Sequence, residues 1–172
     1  MRFITNVFRV LSWICYIVIL IFGLVELPIL FGYNPEIVLT GSMTPTYPID
    51  SIIYYKYASF DDIQVGDAIS FNLNQSIVTH RVVEKNSQDM CFTTKGDANP
   101  SNDNDVVSYN QVQGKVVNFK IMYLGKFVII LQSNYLILLG MAIILIIYYI
   151  LSHIQDKISP IGNKDCNSNI VE

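Results

Sequence analysis

The sequence predicts an all-β domain inserted between two transmembrane helices, and three observations carry that prediction. An almost wholly apolar run fills 10–31, and a second, from about 127 to 151, contains no charged residue. The roughly 90 residues between them, enough for one core and not for two, are short β-branched or aromatic stretches separated by Pro, Gly, Asn and Asp.

Each apolar run is close to the ~20 residues that a helix needs to cross a bilayer. Trp13, Tyr16, Tyr135, Tyr148 and Tyr149 sit towards the ends of the runs, where amphipathic rings favour headgroup depth. The first run exceeds the usual signal-peptide core of roughly 7 to 15 residues and no small-x-small cleavage site follows it, so a retained anchor is expected. Glu26 and Pro28 mark its outer interface. Arg2 and Arg9 precede it without an acidic neighbour, which places the N-terminus in the cytoplasm by the positive-inside rule. The expected organisation is therefore 1–31 as N-terminus and first span, 32–123 as an outer β-rich domain, 124–151 as the second span and 152–172 as a cytoplasmic polar tail.

Composition fits this division. Hydrophobic residues make up 52% of the 172 positions and mean hydropathy is +0.40, values that two spans account for. A net charge of -3 argues against nucleic-acid binding. Cys15, Cys91 and Cys166 fall in the first span, the outer domain and the tail, so no intrachain disulfide and no cysteine metal site is expected. No cofactor is expected either.

In the outer domain, strands are expected at 36–40, 51–57, 67–71, 77–83, 90–94 and 114–119, several of them antiparallel neighbours. The polar stretch 97–105, rich in Asp and Asn, reads as a loop.

A serine hydroxyl is a poor nucleophile until a base within hydrogen-bond reach takes its proton. Ser42 lies in a Gly41-Ser42-Met43 turn soon after the first span, and His80 is the one histidine of the outer domain. Imidazole titrates near pH 6.5, which suits it for general-base work. A carboxylate to hold the ring is available from Asp97, Asp103 or Asp105 on the polar loop.

Four segments in order extend this reading. Val38-Leu39-Thr40-Gly41-Ser42-Met43-Thr44-Pro45 resembles the "SGSMEP" box of type I signal peptidases, and Val65-Gly66-Asp67-Ala68-Ile69-Ser70-Phe71 resembles their "VGDVI" box. Thr79-His80-Arg81-Val82 and Thr94-Lys95-Gly96-Asp97-Ala98-Asn99 resemble the "HRV" and "TKGDAN" boxes of the branch shared by the endoplasmic reticulum, archaea and some Gram-positive bacteria. In that branch histidine replaces the lysine base of the common bacterial enzymes; Lys85 and Lys95 do not occupy the lysine's position.

The resemblance implies a membrane serine endopeptidase that removes signal peptides from exported precursors by acyl-enzyme chemistry. Ser42 would be the nucleophile, His80 the general base and Asp103 the third member, with Asp97 as a supporting residue and rival for that role. It also implies a multi-pass protein of a prokaryotic plasma membrane with its site on the outer face. The expected partners are signal-peptide-bearing precursors, the lipid bilayer and secretion machinery. A scissile segment would lie extended beside a strand, with Ile37, Leu39, Met43 and Ile53 as candidate apolar lining for small side chains.

Two positions depart from the family pattern. Thr40 stands where a serine usually supplies an oxyanion donor; it keeps the hydroxyl on a stiffer rotamer. Asp50 stands near a usual glycine, and Asp tolerates a left-handed turn better than most residues. The same residues also fit a tethered protease for a dedicated precursor, and a silent Ser42 would leave a β-rich scaffold subunit.

Overall fold

The computed structural model describes residues 2–158. The remainder of the expected tail, with Cys166, lies outside the described residues. The chain divides into two compact units, one of Leu24–Ile129 and one drawn from the two ends of the chain.

Helix α1 (Arg2–Glu26) and helix α3 (Tyr135–Ile158) carry the apolar runs. Stretches of 29 residues at Phe3–Phe31 and 20 residues at Leu136–Gln155 are long and apolar enough to cross a membrane. Along α1, large side chains such as Phe3, Trp13 and Leu20 are exposed, as lipid-facing positions would be. The second run, expected as one helix over 124–151, is divided into α2 (Gly125–Ser133) and α3. Asn134 separates them, and its side-chain amide donates to the Ile130 carbonyl at 3.1 Å. Such side chains offer the backbone an alternative to continued helix. The helix α3 then runs on to Ile158, past the expected end at 151.

The larger unit begins with a short 3-10 helix, Leu27–Phe31, which Pro28 can open without losing a needed N–H and which Gly32 closes at φ 80°. Seven strands follow: β1 (Tyr33–Ile37), β2 (Ile52–Lys56), β3 (Ala68–Leu73), β4 (Ser76–Asn86), β5 (Cys91–Lys95), β6 (Val107–Ser108) and β7 (Val112–Ile121). They form one antiparallel sheet in the order β1-β2-β7-β3-β4-β5-β6. The all-β domain is as expected. The six expected strands are all present with shifted ends, and the two-residue β6 is additional.

Alternation on β3 sorts the sheet into two faces. Ile69 and Phe71 join Phe60, Ile63, Val82, Phe92 and Val107 in one apolar cluster, whereas Ala68 joins Met43, Tyr47, Ile53 and Val116 in another. The sheet also curls: a Glu36 oxygen on β1 lies 2.6 Å from the Ser70 hydroxyl on β3, although β2 and β7 intervene in the strand order. At Gly114 on β7 an added Cβ would stand 2.4 Å from the Lys56 carbonyl, so the β2–β7 approach admits only glycine there. Asp50, before β2, is left-handed at φ 69°, and the Lys126 N–H donates to its carboxylate.

Candidate active site

Ser42 lies on a turn closed by the Thr44 N–H on the Gly41 carbonyl at 3.0 Å and the Tyr47 N–H on the Met43 carbonyl at 2.8 Å. Met43 and Tyr47 are buried and pin the turn to the second apolar cluster. The opposite edge is held by the Ala98 N–H, which donates to the Ser42 carbonyl at 2.8 Å. That contact brings two backbones so close that a Cβ on Gly96 would sit 2.7 Å from the same carbonyl. Glycine in the Lys95-Gly96-Asp97 segment is therefore part of how the serine is placed.

His80 is 9% exposed and lies opposite Ile69 across the β3–β4 ladder, on the face shared with Phe71, whose ring meets the imidazole edge-on at 6.3 Å. Its Nδ1 is 2.6 Å from Asp103 Oδ2 and its Nε2 is 3.1 Å from Ser42 Oγ. An ionised carboxylate only accepts, so the proton belongs on Nδ1, and Nε2 is left with the lone pair that accepts the Ser42 O–H. Asp103 Oδ2 also accepts from the Thr94 hydroxyl at 2.7 Å, and the Asp103 N–H donates to the Thr94 carbonyl at 2.9 Å. The carboxylate is thereby fixed in position before it meets the ring.

Asp97 does different work. Arg81 Nε donates to its Oδ1 at 2.7 Å and Nη2 to its Oδ2 at 2.6 Å, a bidentate pair, and the Thr46 hydroxyl donates to Oδ2 as well. The Arg81 guanidinium beside it holds the Asp97 carboxyl below the usual carboxylate range, against the opposing effect of burial. Since Thr46 belongs to the serine turn and Asp97 follows Gly96, this pair ties the two segments that meet at Ser42. Asp105 makes no hydrogen bond to His80.

Thr40 Oγ1 stands 3.4 Å from Ser42 Oγ, and the Ser42 N–H has no hydrogen-bond partner among the described residues. A cavity of about 260 Å³ opens beside these groups, with Ile37, Leu39 and Met43 in its lining. Ile53, expected with them, is wholly buried in the core, where it packs with Met43, Tyr47, Ala68 and Val116. The cavity wall also holds Glu36 and Thr79; the sequence offered Glu36 only as a strand residue and Thr79 only as a strand residue beside His80, neither with a role in the cavity. Their proximity depends on the curl of the sheet, and no local pattern signals it.

No family model matches the chain. It is similar to the curated Signal peptidase I W of Bacillus subtilis (strain 168), with 36% identity over 98 residues covering 55% of this chain and 52% of that protein. The chain spans about half the length of the curated relative it matches.

Proposed function

We propose that the chain is a membrane-bound serine endopeptidase that cleaves N-terminal signal peptides from exported precursors, with Ser42, His80 and Asp103 as its catalytic residues. The observation that carries this reading is the continuous hydrogen-bonded relay of 3.1 Å and 2.6 Å from serine through histidine to aspartate. Its setting in a chain similar to a signal peptidase gives the relay a substrate class.

In the reaction, His80 Nε2 takes the Ser42 proton as Oγ attacks the scissile carbonyl, and Asp103 stabilises the imidazolium that forms. The tetrahedral oxyanion is met by the Ser42 N–H and the Thr40 hydroxyl. His80 returns its proton to the leaving amine, and water then enters by the same base to release the acyl group from Ser42. Histidine as base, where the common bacterial enzymes use lysine, supports the branch shared by the endoplasmic reticulum, archaea and some Gram-positive bacteria. Two helices of membrane-crossing length support a multi-pass protein, and Arg2 and Arg9 support an outer placement of the site.

The test is one labelled precursor incubated in detergent with wild type and Ser42→Ala, followed by N-terminal sequencing of the product. Cleavage at the end of the signal peptide by wild type alone is expected. Equal cleavage by both proteins would sink the proposal.

A further inference from the structure

The cavity beside Ser42 has a carboxyl group in its wall that the proposed reaction does not use. Glu36 reaches it from β1, and Ser70 and Thr79 reach the same point from the paired strands β3 and β4. Glu36 Oε2 lies 2.6 Å from Ser70 Oγ and 3.1 Å from Thr79 Oγ1, and the two hydroxyls are 2.7 Å apart.

Three oxygens in mutual contact make a hydrogen count possible. Ser70 and Thr79 bring one hydroxyl hydrogen each, which can fill only two of the three contacts. A proton on Glu36 Oε2 fills the third and closes a ring: Glu36 to Thr79, Thr79 to Ser70, Ser70 to Glu36. Burial pushes the Glu36 carboxyl above the usual carboxylate range, against the pull of both hydroxyls.

The other oxygen is the functional one. Glu36 Oε1 makes no hydrogen bond to any described residue, yet no buried side-chain nitrogen or oxygen among them lacks a partner. Oε1 therefore keeps some contact with solvent, on a residue that lines the cavity. With the ring proton on Oε2, Oε1 is the carbonyl oxygen of a neutral acid; without it, Oε1 is half of a carboxylate. In both states it only accepts hydrogen bonds.

We infer that Glu36, braced by Ser70 and Thr79, is a specificity-determining residue of the cavity beside Ser42, which selects a precursor side chain carrying a hydrogen-bond donor over an apolar side chain of the same shape. The inference rests on the endopeptidase reading above. Leaving Oε1 unpaired against an apolar occupant loses a hydrogen bond that water makes in the free enzyme, whereas a hydroxyl replaces that water.

Threonine and valine differ in little but that hydroxyl, so their ratio isolates it. Peptides spanning a cleaved precursor site, with Thr or Val placed singly at each position flanking the bond, are assayed for kcat/KM with wild type, Glu36→Gln and Glu36→Leu in detergent. At one position wild type should favour Thr over Val by about three- to tenfold. Glu36→Gln keeps an acceptor oxygen and should keep part of the preference; Glu36→Leu should bring the ratio to one or below. A ratio within each protein cancels a general loss of activity, and labelling of Ser42 by a serine-directed acylating probe reports that each variant is folded. Cleavage without any Thr preference, or a preference that survives Glu36→Leu, overturns the subsite while leaving the endopeptidase reading intact. Failure of wild type to cleave any peptide overturns both.

Discussion

Asp97 accepts two hydrogen bonds from the Arg81 guanidinium and one from Thr46, whereas Asp103, on the same loop, accepts from His80 and Thr94. The two histidine-segment residues are consecutive on β4, and consecutive strand residues point to opposite faces. His80 therefore turns towards the Phe71 face and its neighbour towards the Ala68 face, across which Arg81 pairs. One short loop supplies a carboxylate to each face. Asp103 holds the ring that meets the serine; Asp97 holds the backbone segments between which the serine sits.

The comparison can be broken most severely at its centre. As proposed members of one catalytic unit, His80 and Ser42 should each, on replacement by Ala, lower turnover of a precursor by at least about 10⁴-fold, because losing one member costs about as much as losing the whole unit. Asp103→Asn should lose about 10³- to 10⁴-fold, because the amide can no longer hold the imidazole with its proton on Nδ1. Thr40→Val deletes the hydroxyl proposed as an oxyanion donor and keeps the shape of the side chain, and a loss of about 100- to 1000-fold in kcat is expected.

Asp97→Asn should be the mildest, at about tenfold in turnover, and its larger mark should be on stability. The partly buried bidentate pair contributes about 1 kcal/mol. Because its folded carboxyl is held below the ordinary value of about 3.9, that contribution is present above this value and is lost as pH falls through the lowered one. Thermal unfolding followed from neutral to acid pH should thus show wild type losing this advantage at the acid end, with Asp97→Asn lower and flatter across the same window.

How much of this was legible beforehand depends on the range of the contacts. Ser42 and His80 stand out because each is a chemically distinctive residue at a position fixed by local pattern: a turn behind an apolar run, and a strand. The choice between Asp97 and Asp103 was not readable from the residues themselves, because both lie on the same polar loop. It depends on the Asp103 N–H folding back onto the Thr94 carbonyl at 2.9 Å. Glu36 was less visible still, since its partners lie on β3 and β4 and only the curl of the sheet brings them together. Likewise β6 pairs through only Val107 and Ser108, too short a stretch to show a period, and the break at Asn134 falls in the polar Gln132-Ser133-Asn134 triplet inside the second apolar run, where the Asn134 amide donates to the Ile130 carbonyl and the Ser133 hydroxyl.

The account's central claim is the division of labour around Ser42, and single-turnover cleavage of one labelled precursor tests it most directly. With wild type, Asp97→Asn, Asp103→Asn and Ser42→Ala side by side in detergent, the predicted order of rates is the order just written, with Ser42→Ala at background. Cleavage by Ser42→Ala at the wild-type rate, or a larger loss in Asp97→Asn than in Asp103→Asn, would contradict it.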